Sequence, residues 1–168
     1  MKIKMCYLTI LGFSALLFSG CVMPRTYNFW GVGGLSPIYP AMNYDYINRY
    51  RTIETLSPDL KWKDIKKPNQ TYDLGVWETA YRSVDDIKKK AAQADTSWGI
   101  FIYGTNNIST NYFQIPIRLK PNTYYNWSVR IRDGEKVERW SSFSQEKVIG
   151  SAQIIYNNNP FGFKTPPQ

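Results

Sequence analysis

The sequence predicts an all-β sandwich with a short inserted helix, preceded by a leader and an aromatic, Gly/Pro-containing tether. Three observations point there. Short runs with an apolar residue at every second position recur from about Thr52 onward, the pattern of half-buried strands. Turn-forming residues separate those runs, as they do in sandwiches. Aromatic residues make up 16% of the chain, enough to fill a core where Leu and Ile are sparse. A length of 168 residues fits one domain with tails. The expected divisions are a leader over 1–20, a tether over 21–51, the sandwich over 52–150 and a C-terminal tail over 151–168.

Residues 1–20 read as a secretory signal. Lys2 and Lys4 supply positive charge, and Tyr7 to Leu17 is an apolar run broken only by Thr9 and Ser14. That run is short for a membrane span, which needs about 20 residues. The formal charge is +8, and loss of Lys2 and Lys4 with the leader leaves +6. Such a charge suits ordinary solubility or attraction to anionic surfaces.

The tether lacks a clean period. Pro24, Pro37, Pro40, Gly31, Gly33 and Gly34 argue against regular structure, yet Tyr27, Phe29, Trp30, Tyr39, Tyr44, Tyr46 and Tyr50 make it aromatic. Those rings are expected either to pack along the domain or to dock on a partner. Gly31-Val32-Gly33-Gly34 follows no strand-like run and opens no helix, so it is not read as a phosphate loop.

Strands follow. Leu60 to Ile65 begins with alternation. Tyr72, Leu74 and Val76 alternate with Asp73, Gly75 and Trp77, and Ile100 and Ile102 with Phe101 and Tyr103. Ile115, Ile117 and Leu119 form another phase, then Tyr125, Trp127, Val129 and Ile131. Ser83 to Ala94 reads as a helix, with Ser83 as N-cap and Asp85 and Asp86 in its first turn. Asp133-Gly134 signals a hairpin. A three-residue loop, Asp133 to Glu135, would pair Ile131 with Val137 and Arg130 with Glu138 and keep lysine off the core face.

Two resemblances sharpen this. Phe18-Ser19-Gly20-Cys21 resembles the lipobox of bacterial lipoproteins: an aliphatic residue, two small residues, then cysteine. Phe18 departs from the usual Leu. The resemblance implies cleavage before Cys21 and acylation of its thiol, an anchor of two or three chains worth roughly 0.8 kcal/mol per buried methylene. Val22, a non-aspartate after the cysteine, implies sorting to the outer membrane of the cell envelope. Leu119-x-Pro121-x-Thr123-x-Tyr125, followed by Trp127, Val129 and Ile131, is similar to the corner and following strand of fibronectin type III domains. Trp62 matches that family's buried tryptophan, Tyr72, Leu74 and Val76 its next strand, and Trp140-Ser141 the start of its last strand. The resemblance implies an immunoglobulin-like sandwich, with Leu119, Pro121 and Tyr125 as a structural tyrosine corner, that mediates contact and carries no catalytic residues.

The chain has no histidine, and Cys21 is the only cysteine after Cys6. His- or Cys-ligated zinc, a Ser-His-Asp triad and a Cys-His pair therefore lack their side chains. Ser144 and Lys147 have the serine-x-x-lysine spacing but fall on an expected strand, where that chemistry needs a helix. Asp85 and Asp86 suit a helix start better than glycoside hydrolysis. No enzyme, metal or cofactor is expected. Lys61, Lys63, Lys66 and Lys67, and Lys88 to Lys90, sit in no nucleic-acid-binding motif. Trp77 falls on the polar phase of its strand. With Trp98 and Tyr103 it is the candidate aromatic platform, unless the inserted helix covers it. The expected partners are a membrane, through lipid, and an envelope protein. The alternative is an envelope glycan, peptidoglycan or exopolysaccharide, held on exposed rings.

Overall fold

Because one parity of each strand is apolar, each strand has one face to bury, and two sheets close on each other. The structure, a computed structural model, describes residues 35–41, 50–79, 83, 85–86, 98–149 and 152–168, with backbone alone at 144–149 and 152–158. The smaller sheet contains β1 (Pro37–Tyr39), β3 (Asp59–Trp62) and β6 (Tyr112–Gln114), in the order β1-β3-β6. The larger contains β2 (Arg51–Thr52), β4 (Thr71–Glu78), β5 (Ile100–Ile108), β7 (Tyr124–Asp133), β8 (Lys136–Val137) and β11 (Phe161–Lys164). Its order is β2-β11-β7-β4-β5, with β8 also paired to β7. β9 (Phe143–Ile149) and β10 (Ala152–Asn159) form a separate antiparallel hairpin.

The core lies between the sheets. Leu60 and Trp62 of β3 meet Tyr72, Leu74 and Val76 of β4 and Tyr125, Trp127, Val129 and Ile131 of β7. Trp62 touches Tyr72 edge-on at 5.3 Å between ring centroids and Trp127 at 6.4 Å, so one side chain of the small sheet joins two strands of the large one. Ile115 and Leu119 close the core from the segment after β6. The expected strand over 114–119 stops at Gln114. Pro116 has no N–H to donate to a ladder, so the chain leaves the sheet while its buried side chains stay in place.

The expected tail is part of the sandwich. Phe161 and Phe163 are fully buried, and β11 pairs with β7 through Phe161 opposite Trp127 and Phe163 opposite Tyr125. The partner of β7 comes in two pieces. Over its second half, the Glu138 N–H donates to the Ile131 carbonyl and the Ser141 N–H to the Val129 carbonyl, both at 2.9 Å. Over its first half the partner is β11. Between those pieces the chain makes the β9–β10 hairpin, closed at its base where Phe143 pairs with Asn159. A strand interrupted in this way has no continuous period to read.

Part of the expected tether is also sheet. β1 pairs with β3, Leu35 is buried, and Tyr50 and Ile53 flank β2 as buried residues. The hairpin after β7 differs from the expected register: Arg132 pairs with Val137 and Asp133 with Lys136, enclosing Gly134 and Glu135. Gly134 has a φ of 58°, which glycine adopts without strain at the first central position of such a turn. Glu138, opposite Ile131, is exposed, so the core does not extend over β8 and places no demand on that register. At the inserted helix, the Ser83 hydroxyl accepts from the Asp86 N–H at 3.2 Å, as an N-cap does. Residues 87–97 lie outside the described residues, as do the leader and Cys21.

Phe163→Ala removes a ring stacked on Tyr125 at 5.6 Å. It is expected to cost about 3–4 kcal/mol, read from urea unfolding. A loss below about 1 kcal/mol would show that β11 is not part of the core.

Candidate functional site

The outer face of the larger sheet carries a cluster of aromatic side chains. Along β4 the outward residues are Asp73, Gly75 and Trp77, and along β7 Asn126, Ser128 and Arg130, which pair with them in register. Small residues leave room for rings to lie down on the sheet. A Cβ built on Gly75 would collide with the Trp77 indole, on Gly104 with Phe101, and on Gly162 with Tyr50. Trp77 is the hub. Its ring centroid is 5.0 Å from Trp98, 5.5 Å from Phe101 and 5.5 Å from Trp140, each in an edge-on arrangement. Such contacts are worth about 0.5–1.5 kcal/mol each beyond area burial.

Two of the three expected platform residues meet here. Tyr103 does not. Val76 pairs with Tyr103 while Trp77 pairs with Phe101, so Ile102 is an extra residue bulged into β5. The bulge reverses the side-chain phase. Tyr103 turns toward the core and stacks on Phe113 at 6.0 Å, while Phe101 takes the outer position. Trp140 joins from the segment after β8, a contribution that needed the fold of the chain around β7.

Asn126 links the layer to its flank. Its Nδ2 donates to the Trp98 carbonyl at 2.8 Å, and its Oδ1 accepts from the Tyr50 hydroxyl at 2.9 Å. Tyr50 meets Tyr124 edge-on at 5.2 Å, and Lys164 lies over the Tyr124 ring at 5.1 Å.

At the other side of the layer is a charged cluster. Asp73 has 3% of its side chain exposed. Its Oδ1 accepts from Arg132 Nε at 2.7 Å, and its Oδ2 from Arg130 Nε at 3.0 Å and Arg132 Nη2 at 2.8 Å. Burial alone would raise the Asp73 pKa, but the hydrogen bonds and charges of Arg132 and Arg130 outweigh it and hold the group below its ordinary value. Arg130 in turn lies over the Trp140 ring at 4.4 Å. Between Phe101 and Trp140 runs an open groove of about 210 Å³, lined further by Asn106, Asp73, Arg130 and Arg132.

Of the expected corner residues, Tyr125 and Leu119 lie in the core, Tyr125 on the opposite face of the larger sheet from this layer. Tyr125 is buried, and its hydroxyl accepts from the Lys120 N–H at 3.0 Å. Leu119 is buried beside it, and Pro121 starts the turn into β7. Among the described residues no group of three acidic, Cys or His side chains is placed to hold a metal ion, and no helix is long and apolar enough to cross a membrane. No protein-family model matches the chain, and no curated protein is similar to it.

Gly75→Ala forces the Trp77 indole off the sheet. The expected result is a red shift of tryptophan emission and a loss of about 1–3 kcal/mol in urea unfolding; unchanged emission would mean that the ring does not lie on Gly75. The Asp73 cluster sets an acid limit as well. With its folded pKa depressed, the carboxylate contributes its full stability above the ordinary value of 3.8, and the contribution is lost as pH falls through the lower folded value. Asp73→Asn should lower the urea midpoint at pH 7 and flatten its fall below pH 4; an unchanged acid profile would remove Asp73 from that role.

Proposed function

We propose that the chain is a lipid-anchored cell-envelope protein whose sandwich, fibronectin type III-like in kind, is non-catalytic and binds a protein partner. The contact surface is the outer face of the larger sheet. One observation carries this: Phe101 is 57% exposed at the rim of a half-buried tryptophan cluster. An apolar ring held in water beside rigid rings and an arginine has the composition of a binding hot spot. The strand order, with three strands facing β5-β4-β7 and its two-piece edge, supports the fibronectin-like assignment, as does the Tyr125 hydroxyl at the Lys120 N–H.

The anchor rests on Cys21 and the leader before it, with the outer membrane as destination. Labelled palmitate should enter the wild-type protein and not Cys21→Ser. Detergent-solubilised envelope from the native host should yield a partner on the wild-type protein that Phe101→Glu fails to capture. Capture unchanged by Phe101→Glu would move the contact elsewhere, and an unlabelled Cys21 would remove the anchor.

A second reading, glycan binding, is favoured by the groove. Rings at Phe101 and Trp140 flank polar groups at Asn106, Arg130 and Arg132, a combination that suits the apolar face and hydroxyls of a sugar.

A further inference from the structure

We propose that the groove between Phe101 and Trp140 binds an acidic sugar, a uronic acid residue of a polysaccharide, with Arg130 receiving its carboxylate. This rests on the glycan reading and names the class of sugar.

Two guanidinium groups hydrogen-bond the one Asp73 carboxylate, and Glu135 attracts Arg132 more weakly from outside the cluster. Arg132 meets Asp73 through both Nε and Nη2 and is held as a fork. Arg130 gives Asp73 only its Nε, and its terminal amino groups meet no acceptor among the described residues. An oriented, partly desolvated guanidinium with free donors is matched to a planar anion that can take two hydrogen bonds. Trp140 adds to this by packing against the guanidinium and restricting its rotation.

The rest of the groove selects among carboxylates. The Phe101 ring leans on Gly104 and stays 57% exposed, an apolar wall opposite the charge. Asn106 sits on the rim, its Oδ1 accepting from Asn107 Nδ2 at 3.2 Å, which leaves its own Nδ2 as a donor. A peptide carboxylate would use the arginine and leave the ring and the amide idle. A pyranose ring has an apolar face for Phe101, hydroxyls for Asn106 and, in a uronic acid, a carboxylate at its edge. A space of about 210 Å³ suits one such residue, and its open ends let a polymer continue.

Calorimetry on the full-length protein in detergent, with tetragalacturonate, a neutral tetragalactoside and tetraglutamate, tests this. Tetragalacturonate is expected to bind roughly tenfold more tightly than either of the others, about the value of one charge-assisted pair. Arg130→Gln should abolish that preference while Arg132 keeps Asp73 paired. Phe101→Ala, at an exposed ring, should weaken both sugars several-fold. Should Arg130→Gln fail to fold, Arg130→Lys keeps the charge without the fork and is expected to lose the same factor; undiminished affinity in that variant would overturn the assignment. Equal binding of the two sugars leaves the glycan reading intact and removes the carboxylate's role. Binding of neither sugar removes both, and tetraglutamate binding as tightly as tetragalacturonate would give the groove to an acidic protein.

Discussion

The sandwich depends on Trp62. No cysteine follows Cys21, so no disulfide ties the sheets together, and the tie has to be made by packing. Trp62 is the largest fully buried side chain of the smaller sheet, and it reaches both Tyr72 and Trp127 on the larger. The arrangement has a cost. Neither the Trp62 nor the Trp127 indole N–H finds an acceptor among the described residues. An unpaired buried donor costs about 1–3 kcal/mol. A buried indole removes roughly 200 Å² from water, worth about 5 kcal/mol at 25 cal/mol per Å². Burial wins at each ring, so a pair of tryptophans can replace a covalent bridge even with their polar atoms unmet.

That core governs how much of the fold was legible. Wherever a strand packs on Trp62 its sequence alternates cleanly, and Tyr72 to Val76 and Tyr125 to Ile131 were readable as strands with the correct inward face. Legibility fails where the chain departs from one uninterrupted ladder. Phe161 and Phe163 share a phase, but four residues after a long hairpin carry no visible tie to the strand they complete. β1 and β2 are three and two residues long, too short for a period, and prolines and glycines surround the first. The register after β7 was misread because β8 lies beyond the core, where burial does not choose between alternatives.

The outer face was legible in part, for a related reason. Trp77 stood out because an indole on the polar phase of a strand contradicts the pattern around it. Trp98 lies next to a strand start and was found with it. Tyr103 was misplaced by one bulged residue, since period-two reasoning assigns Phe101 and Tyr103 to the same side. Trp140, and the meeting of Asp73 with Arg130 and Arg132, could not be seen at all. β4 and β7 are neighbours in the sheet but far apart in sequence, and alternation says which way a side chain points without saying what it will meet.

The two faces of the large sheet solve opposite problems with the same residue types. Inside, rings pack against rings and exclude water. Outside, rings lie on glycine and meet edge to edge, which restricts their motion without burying them. An aromatic side chain left free in water loses rotamer entropy when a partner orders it. Trp77, held on Gly75 and against three neighbouring rings, has already lost most of that freedom in the folded chain. Arg130 is in the same position, fixed by Asp73 on one side and Trp140 on the other. A surface ordered before any ligand arrives gives up little on binding. That preorganisation distinguishes this face from the exposed apolar residues scattered elsewhere, such as Ile38 and Val137, which have exposure without a frame.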